Sequence, residues 1–188
     1  MSQQRPIRRT QILREAEGYL ELLSVFADRW PPKPAVRDRV ARRALATLDR
    51  IDRPGRDLGV VLYLRGLALK LMERYEEAIV PFSAAAELDD EDIHVHLSLG
   101  WCYKRIGQLD RAIEALEAGL AVDPGEAILY FNLACYWTLA GNKRHALDYL
   151  GRALAIDSDY RDMIDDEPDF DSLREDPDFQ ELISSVIV

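Results

Sequence analysis

The sequence has only two cysteines and three histidines in 188 residues. It contains no glycine-rich phosphate loop and no Gly-x-Ser-x-Gly turn, the local motifs of nucleotide-binding and hydrolase sites. No apolar run approaches the length of a membrane span, and the first ten residues are polar and arginine-rich rather than a secretory leader. These absences predict a cytoplasmic, non-catalytic protein without cofactor, metal or membrane segment.

The formal charge is −10 and is divided unevenly along the chain. Residues 1–58 contain thirteen Lys or Arg against eight Asp or Glu, whereas residues 59–188 contain eleven against twenty-six. A net negative field repels polyanions, so nucleic acid is disfavoured as a partner. Arginines cluster in the first part of the chain, at Arg5, Arg8, Arg9, Arg37, Arg39, Arg42 and Arg43. We interpret them as a solvated helix face, with contact to nucleic-acid phosphates or to an acidic terminus of this chain or a neighbour as alternatives.

One pattern recurs at an interval of 34 residues. Small residues stand at two positions of each repeat and a large one at a third: Gly66, Gly100 and Ala134; Ala78, Ala112 and Ala146; Phe82, Leu116 and Leu150. A repeat of this length is one helical hairpin, which buries its apolar face by stacking on the next hairpin. The pattern therefore predicts an all-α fold whose function lies on a stacked surface.

The repeat places three hairpins at residues 59–92, 93–126 and 127–160. Before them, residues 8–58 predict a diverged hairpin with helices over 8–28 and 35–52, separated by the proline-rich stretch 30–34. Residues 1–7 are predicted to be disordered. Residues 161–188 are predicted to form an acidic cap with short helices near 170–175 and 177–185, and all segments to form one domain.

The turns inside and between the hairpins have their own signals. Gly107 and Gly141 fall where the first helix of a hairpin must turn, and glycine accepts the left-handed conformation used there. Glu73 stands at the corresponding position of the first hairpin. Asp123 followed by Pro124 is typical of an N-cap and a first helical residue, so a helix is predicted to begin at this point.

The segment Leu-Gly-Trp-Cys-Tyr at 99–103, followed by Gly107, Leu109, Ala112, Leu116, Gly119, Leu120 and Pro124, resembles a tetratricopeptide repeat. Residues 131–136 and the sequence Pro-Asp-Phe-Asp-Ser-Leu-Arg-Glu-Asp-Pro-Asp-Phe at 168–179 are similar to the closing repeat and cap of bacterial members of that family. The resemblance implies a right-handed superhelical stack of antiparallel helix pairs, a tetratricopeptide solenoid. It also implies a concave groove, lined by the first helix of each pair, that binds peptides or proteins without catalysis.

On the family's geometry, ten residues are implied to line or edge this groove: Tyr63, Leu67, Lys70, His94, Leu97, Trp101, Lys104, Arg105, Ile128 and Phe131. The surface is mostly apolar and aromatic. It lacks the Lys and Asn positions with which some members hold a C-terminal carboxylate, and Asn132 alone does not restore them. The predicted partner is therefore an apolar peptide or an amphipathic helix. The alternative is that these rings belong to the core.

The occupancy of the groove stays open at this level. It is free for a partner, or it is filled by residues 8–28, by residues 182–188, or by a neighbouring molecule. In the last case the protein is a self-associating scaffold, an alternative that the basic start and acidic end also favour.

Three other candidate sites are predicted to be structural. His94 and His96 are two residues apart on a helix and point in different directions, so a shared metal is not expected. The acidic run 157–178 lacks the loop pattern of an EF-hand and is interpreted as a solvated face. Cys102 and Cys135 fall at buried helix positions, which favours free thiols over a disulfide.

Overall fold

The computed structural model describes residues 4–27 and 31–185, and the side chains of 8–25 and 31–184. Within this part the chain forms ten α-helices: α1 Gln4–Ala27, α2 Pro34–Leu48, α3 Leu58–Leu71, α4 Tyr75–Leu88, α5 Ile93–Arg105, α6 Leu109–Val122, α7 Ala127–Leu139, α8 Lys143–Ile156, α9 Arg161–Ile164 and α10 Pro177–Ser185. Short 3-10 helices cover Gly55–Asp57, Ser158–Tyr160 and Pro168–Leu173. The all-α fold is confirmed, and the three repeats correspond to the pairs α3/α4, α5/α6 and α7/α8.

The boundaries at the start of the chain differ from the predicted ones. Helix α1 begins at Gln4, inside the segment predicted to be disordered, and residues 1–3 lie outside the described part. Helix α2 has a proline in its first turn, where the missing N–H removes no helical hydrogen bond. It ends at Leu48 rather than near residue 52, and the chain then turns through residues 49–54 to the 3-10 helix at Gly55–Asp57.

The chain divides into two compact units, Met1–Asp90 and Glu91–Val188. In the first unit, α1, α2 and α3 build a core that includes Leu20, Leu48 and Leu64, and α4 packs against α3. In the second unit, α5 to α10 surround a core that includes Leu133 and Phe170. The single domain predicted from the sequence stays a prediction, and the two units are described separately below.

Pairing of a small residue with a large one explains the repeat register. A Cβ added to Gly66 would lie 2.5 Å from Cε1 of Phe82, and one added to Gly100 would lie 2.9 Å from Cδ2 of Leu116. Phe82 and Leu116 are both fully buried. Because protein interiors are close-packed, the large side chain of the second helix fits only against a small residue of the first helix. The 34-residue spacing therefore records helix contacts inside each hairpin.

The turn inside each hairpin uses a left-handed residue. Gly107 and Gly141 have φ of 75° and 74°, which confirms the predicted conformation, and Glu73 has φ of 60° at the corresponding position. The Glu73 carboxylate accepts a hydrogen bond from the guanidinium of Arg37 on α2. The first hairpin thus makes the same turn without glycine.

The helix start predicted at Asp123 and Pro124 is wrong. Helix α7 begins at Ala127, with Glu126 as its N-cap. The carboxylate of Asp123 instead accepts a hydrogen bond from the backbone N–H of Gly125 at 2.9 Å, closing a local turn after α6. Asp, Pro and Gly are as typical of turns as of helix starts, so the pattern alone did not distinguish the two.

Candidate functional site

The predicted groove residues of the first unit lie on α3. Tyr63, Leu67 and Lys70 are all half-buried. The Tyr63 ring lies 5.8 Å from the ring of Phe82, centroid to centroid, and Leu67 packs against the core of this unit. Tyr63 and Leu67 therefore pack against the core and also keep a partly exposed face. They fit neither the groove interpretation nor the core interpretation alone.

In the second unit the candidate site is built on α5. The positions 94, 97, 101 and 104–105 recur at three- and four-residue steps, which places them on one side of a helix. His94 and Arg105 are exposed, Leu97 and Lys104 are half-buried, and 38% of Trp101 is exposed. Among these five residues, Trp101 offers the large aromatic surface.

Two cations flank the Trp101 ring. The ammonium of Lys104 lies 5.4 Å from the ring centroid and the guanidinium of Arg105 lies 6.0 Å from it. The Lys104 ammonium also lies 5.5 Å from the Tyr136 ring. A cation near an aromatic face is attracted by the negative face of the ring. The partly exposed Trp101 indole therefore has two cationic side chains beside it.

Lys104 is held in place by an ion pair with Asp169. The pair spans from α5 to the 3-10 helix Pro168–Leu173, and the two side chains are only 16% and 10% exposed. The backbone N–H of Asp169 also donates to the carboxylate of Glu167 at 3.1 Å. Because a charged group in the interior is costly without a partner, this pair locks the segment 168–173 to α5.

On α7 the site differs from the prediction. Ile128 is half-buried, but Phe131 is only 2% exposed. Its ring lies 5.0 Å from that of Tyr160 and 5.6 Å from that of Phe170, the latter edge-on. Phe131 is therefore a core residue covered by the chain that follows α8, and it cannot contact a partner in this structure. The prediction that it lines an open groove is corrected accordingly.

A repeated Pro-Asp-Phe triplet, at 168–170 and 177–179, builds this cover. In each triplet the ring is buried and the carboxylate pairs with a lysine: Phe170 with the Asp169–Lys104 pair, and Phe179 with the Asp178–Lys143 pair. The two rings lie 5.6 Å apart. The sequence contained this signal as a doubled motif, but periodicity does not reveal which lysine each aspartate reaches.

Cys135, Glu167 and Asp169 form a second cluster beneath the cover, with donor atoms within 4.8 Å of one another. Burial, and then the carboxylates of Glu167 and Asp169, raise the pKa of the Cys135 thiol well above its ordinary value. A protonated thiol is a weak metal ligand, and the Lys104 ammonium already neutralises Asp169. We therefore interpret the cluster as the Lys104–Asp169 ion pair beside the neutral Cys135 thiol, and not as a cation site.

The remaining candidates have separate environments. His94 is exposed and His96 is buried, so the two side chains do not share one surface. Cys102 and Cys135 are both buried, and neither forms a disulfide. No helix in the described ranges is long and apolar enough to cross a membrane.

Helical hairpins that repeat every 34 residues and pack small against large residues define an all-α helical-repeat protein. The family model described as tetratricopeptide repeat matches residues 69–134. Residues 69–134 are therefore similar to tetratricopeptide repeats, which supports the resemblance seen in the sequence.

Comparison with a curated sequence gives a short match. The chain is 33% identical over 52 residues to anaphase-promoting complex subunit 3 of Dictyostelium discoideum. The matched part is 28% of this chain and 5% of that protein. The chain thus spans only a small fraction of the length of this relative.

Solved structures share the fold over most of the chain. YrrB, described as a TPR protein with an unusual peptide-binding site, is 25% identical with a TM-score of 0.59, over 77% of this chain and 70% of that one. MamA is 20% identical with a TM-score of 0.60, over 82% and 87% of the two chains. The type III secretion chaperone SycD of Yersinia enterocolitica, solved with a peptide of the translocator YopD, is 24% identical with a TM-score of 0.54, over 72% and 96%.

Proposed function

We propose that this protein is a non-catalytic interaction module whose second unit binds a peptide segment across the exposed face of α5. The observation that carries the proposal is Trp101, a large aromatic side chain that remains 38% exposed, whereas the aromatic ring of Phe131 on α7 is covered. Exposed aromatic residues dominate the binding energy of many protein interfaces. The peptide-binding site in the description of YrrB and the peptide bound to SycD support this use of the fold.

The side chains on the exposed face of α5 limit the kind of peptide that can bind there. Leu97 and Trp101 offer apolar contact, and the exposed Arg105 brings positive charge to the Trp101 ring, whereas the charge of Lys104 is compensated by Asp169. An amphipathic helix or short peptide with an apolar anchor fits this face, and an acidic residue next to the anchor would add charge complementarity. The covered Phe131 leaves α5, rather than α7, as the centre of the site.

The α3 positions of the first unit remain part of the proposal. Tyr63 and Leu67 present half-buried apolar side chains, and Lys70 lies half-buried one turn further along the helix. The equivalent positions of α5 carry Leu97, Trp101 and Lys104, so the two helices present the same kinds of side chain with the aromatic and aliphatic positions exchanged. We infer that α3 contacts the same class of peptide.

Selection of binding peptides from a random phage-displayed library by the full chain, followed by calorimetry with a selected synthetic peptide, tests the proposal. Trp101→Ser is expected to weaken binding by about 2 kcal/mol or more, since buried aromatic anchors contribute on this scale. That loss corresponds to about a 30-fold rise in Kd. Because the side chain is partly exposed, the variant should keep its helical circular dichroism.

Leu139→Ser is the matched control. Leu139 is 43% exposed and lies at the end of α7 in the same unit. Its replacement removes a comparable apolar surface without touching α5, so binding should be unchanged. Unaltered affinity for Trp101→Ser, or an equal loss in both variants, would contradict the assignment of the site to α5.

Self-association is a second candidate function, favoured by the charge division. The first 58 residues carry an excess of five positive charges and the rest an excess of fifteen negative charges. Opposite ends of two molecules would therefore attract, and the attraction would weaken as salt screens it. Light scattering should show a mass above the monomer at low salt that falls as salt is raised. A monomer at high protein concentration in low salt would exclude this function.

A further inference from the structure

The first unit contains an open cavity of about 810 Å³ that the peptide site on α5 does not involve. Four arginines line it: Arg8, Arg9, Arg50 and Arg53. Two come from the start of α1 and two from the chain that follows α2. Segments far apart in sequence thus bring four arginines to one concave surface.

Two of these arginines are fixed by partners of their own. Arg9 forms an ion pair with Asp57 and also donates to the backbone carbonyl of Arg53 at 3.4 Å. Arg50 pairs with Glu15 at 2.8 Å. Their charges are compensated within the protein, and their side chains shape the wall of the cavity.

The other two arginines differ. Within the described ranges, neither Arg8 nor Arg53 forms an ion pair or a side-chain hydrogen bond. Asp52 lies in the same lining and brings one carboxylate to the cavity. Asp52 forms no ion pair with either arginine in the described ranges, but its negative charge offsets part of their positive charge. A ligand with a single carboxylate carries only as much negative charge as Asp52. A ligand with two or more negative charges is attracted more strongly by the two arginines.

We propose that this cavity binds a small organic di- or polyanion, such as a phosphate ester or a polycarboxylate. Guanidinium groups present paired N–H donors that match the oxygens of phosphate and carboxylate groups. Ile12 and Ile51 add apolar wall, which suits the carbon frame of such a ligand. The volume lies within the range typical of small-molecule sites.

Calorimetry with the full chain tests the site, with pyrophosphate, citrate and acetate as probes. Pyrophosphate or citrate is expected to bind with one-to-one stoichiometry and acetate to give no saturable signal. If pyrophosphate has the lower Kd, the site prefers phosphate groups, and if citrate has the lower Kd, it prefers carboxylates. Affinity should fall as salt is raised, because the interaction is electrostatic.

The variant Arg8→Gln/Arg53→Gln removes the two guanidinium groups that have no ion-pair partner among the described residues, and it is expected to weaken binding by about tenfold or more. The matched control is Arg14→Gln/Arg39→Gln, which changes the net charge of the same unit equally at two exposed positions outside the lining. Its affinity should stay within about twofold of the wild type. Absence of binding by both polyanions, or equal weakening in the two variants, would overturn the proposal.

Discussion

Glu73 adopts a left-handed conformation, with φ of 60°, where the next two hairpins use Gly107 and Gly141. This conformation costs about 1–2 kcal/mol for a residue that carries a Cβ atom. We therefore expect Glu73→Gly to be more stable than Glu73→Ala by about 1 kcal/mol. The order is the reverse of that for an ordinary helix position, where alanine is the more stable residue.

The comparison of glycine with alanine isolates the backbone term, because both replacements remove the same ion pair. The Glu73 carboxylate lies 2.5 Å from the guanidinium of Arg37, and its side chain is 57% exposed. Arg37 keeps a second partner, Asp38, at 3.1 Å. The lost pair should therefore cost at most about 1 kcal/mol, which leaves Glu73→Gly between neutral and slightly stabilised relative to the wild type.

Urea unfolding followed by circular dichroism measures both variants, with Gly107→Ala as the reverse experiment. A Cβ added to Gly107 meets no atom within 4 Å, so its expected cost of about 1 kcal/mol lies in the backbone alone. If Glu73→Gly and Glu73→Ala had equal unfolding midpoints, the reasoning would be refuted, since the turn would then not be strained by its side chain.

Three further predictions concern packing and charge. Gly66→Ala should destabilise the first unit by about 1–3 kcal/mol despite alanine's higher helix propensity, because the new Cβ meets the Phe82 ring; a neutral result in thermal melts would show that the ring moves aside. Phe170→Ala should cost about 3–5 kcal/mol, since its ring is fully buried, and amide exchange along α7 should speed up; unchanged protection would contradict the packing role. The Lys143 ammonium lowers the pKa of Asp176 below its ordinary 3.8, so this pair stabilises the folded state above that value and the contribution is lost as the pH falls through the lowered pKa. Lys143→Met should therefore lose less stability than the wild type between about pH 6 and pH 3 in urea titrations, and equal losses would exclude the pair as a source of acid sensitivity.

The repeat could be predicted from the sequence because its signals are local and periodic. Gly66 and Phe82 stand 16 residues apart within one hairpin, and the same spacing recurs at Gly100 and Leu116. The structure places each pair in contact, so the pattern and the packing have one cause. Element types and hairpin limits follow from that pattern.

The cover over Phe131 could not be predicted in the same way. The Lys104–Asp169 pair joins residues 65 positions apart, and nothing in a periodic pattern specifies such a contact. Phe131 occupies a groove position by helix spacing, and only the placement of Phe170 shows that it is covered. The core interpretation, left open by the sequence, is thus the one that applies to this ring.

The arginine cavity shows a third case. The sequence drew attention to Arg8 and Arg9 together with the arginines of α2. The cavity instead joins Arg8 and Arg9 to Arg50 and Arg53, because the chain after α2 returns toward the start of α1. The excess of arginine could be counted in the sequence. The cavity could not be predicted, because it depends on how the start of α1 packs against the chain after α2.

The cover over α7 has a consequence for how this protein is made. Phe131 and Lys104 leave the ribosome before Phe170 and Asp169, so a nascent chain carries an uncovered aromatic ring and an unpaired ammonium until residues 168–170 follow. A chain cut short before that point keeps both features and presents an apolar surface that chaperones and proteases recognise. Once residues 168–170 have been made, they cover the Phe131 ring and pair with the Lys104 ammonium, so only chains that contain them hide this surface.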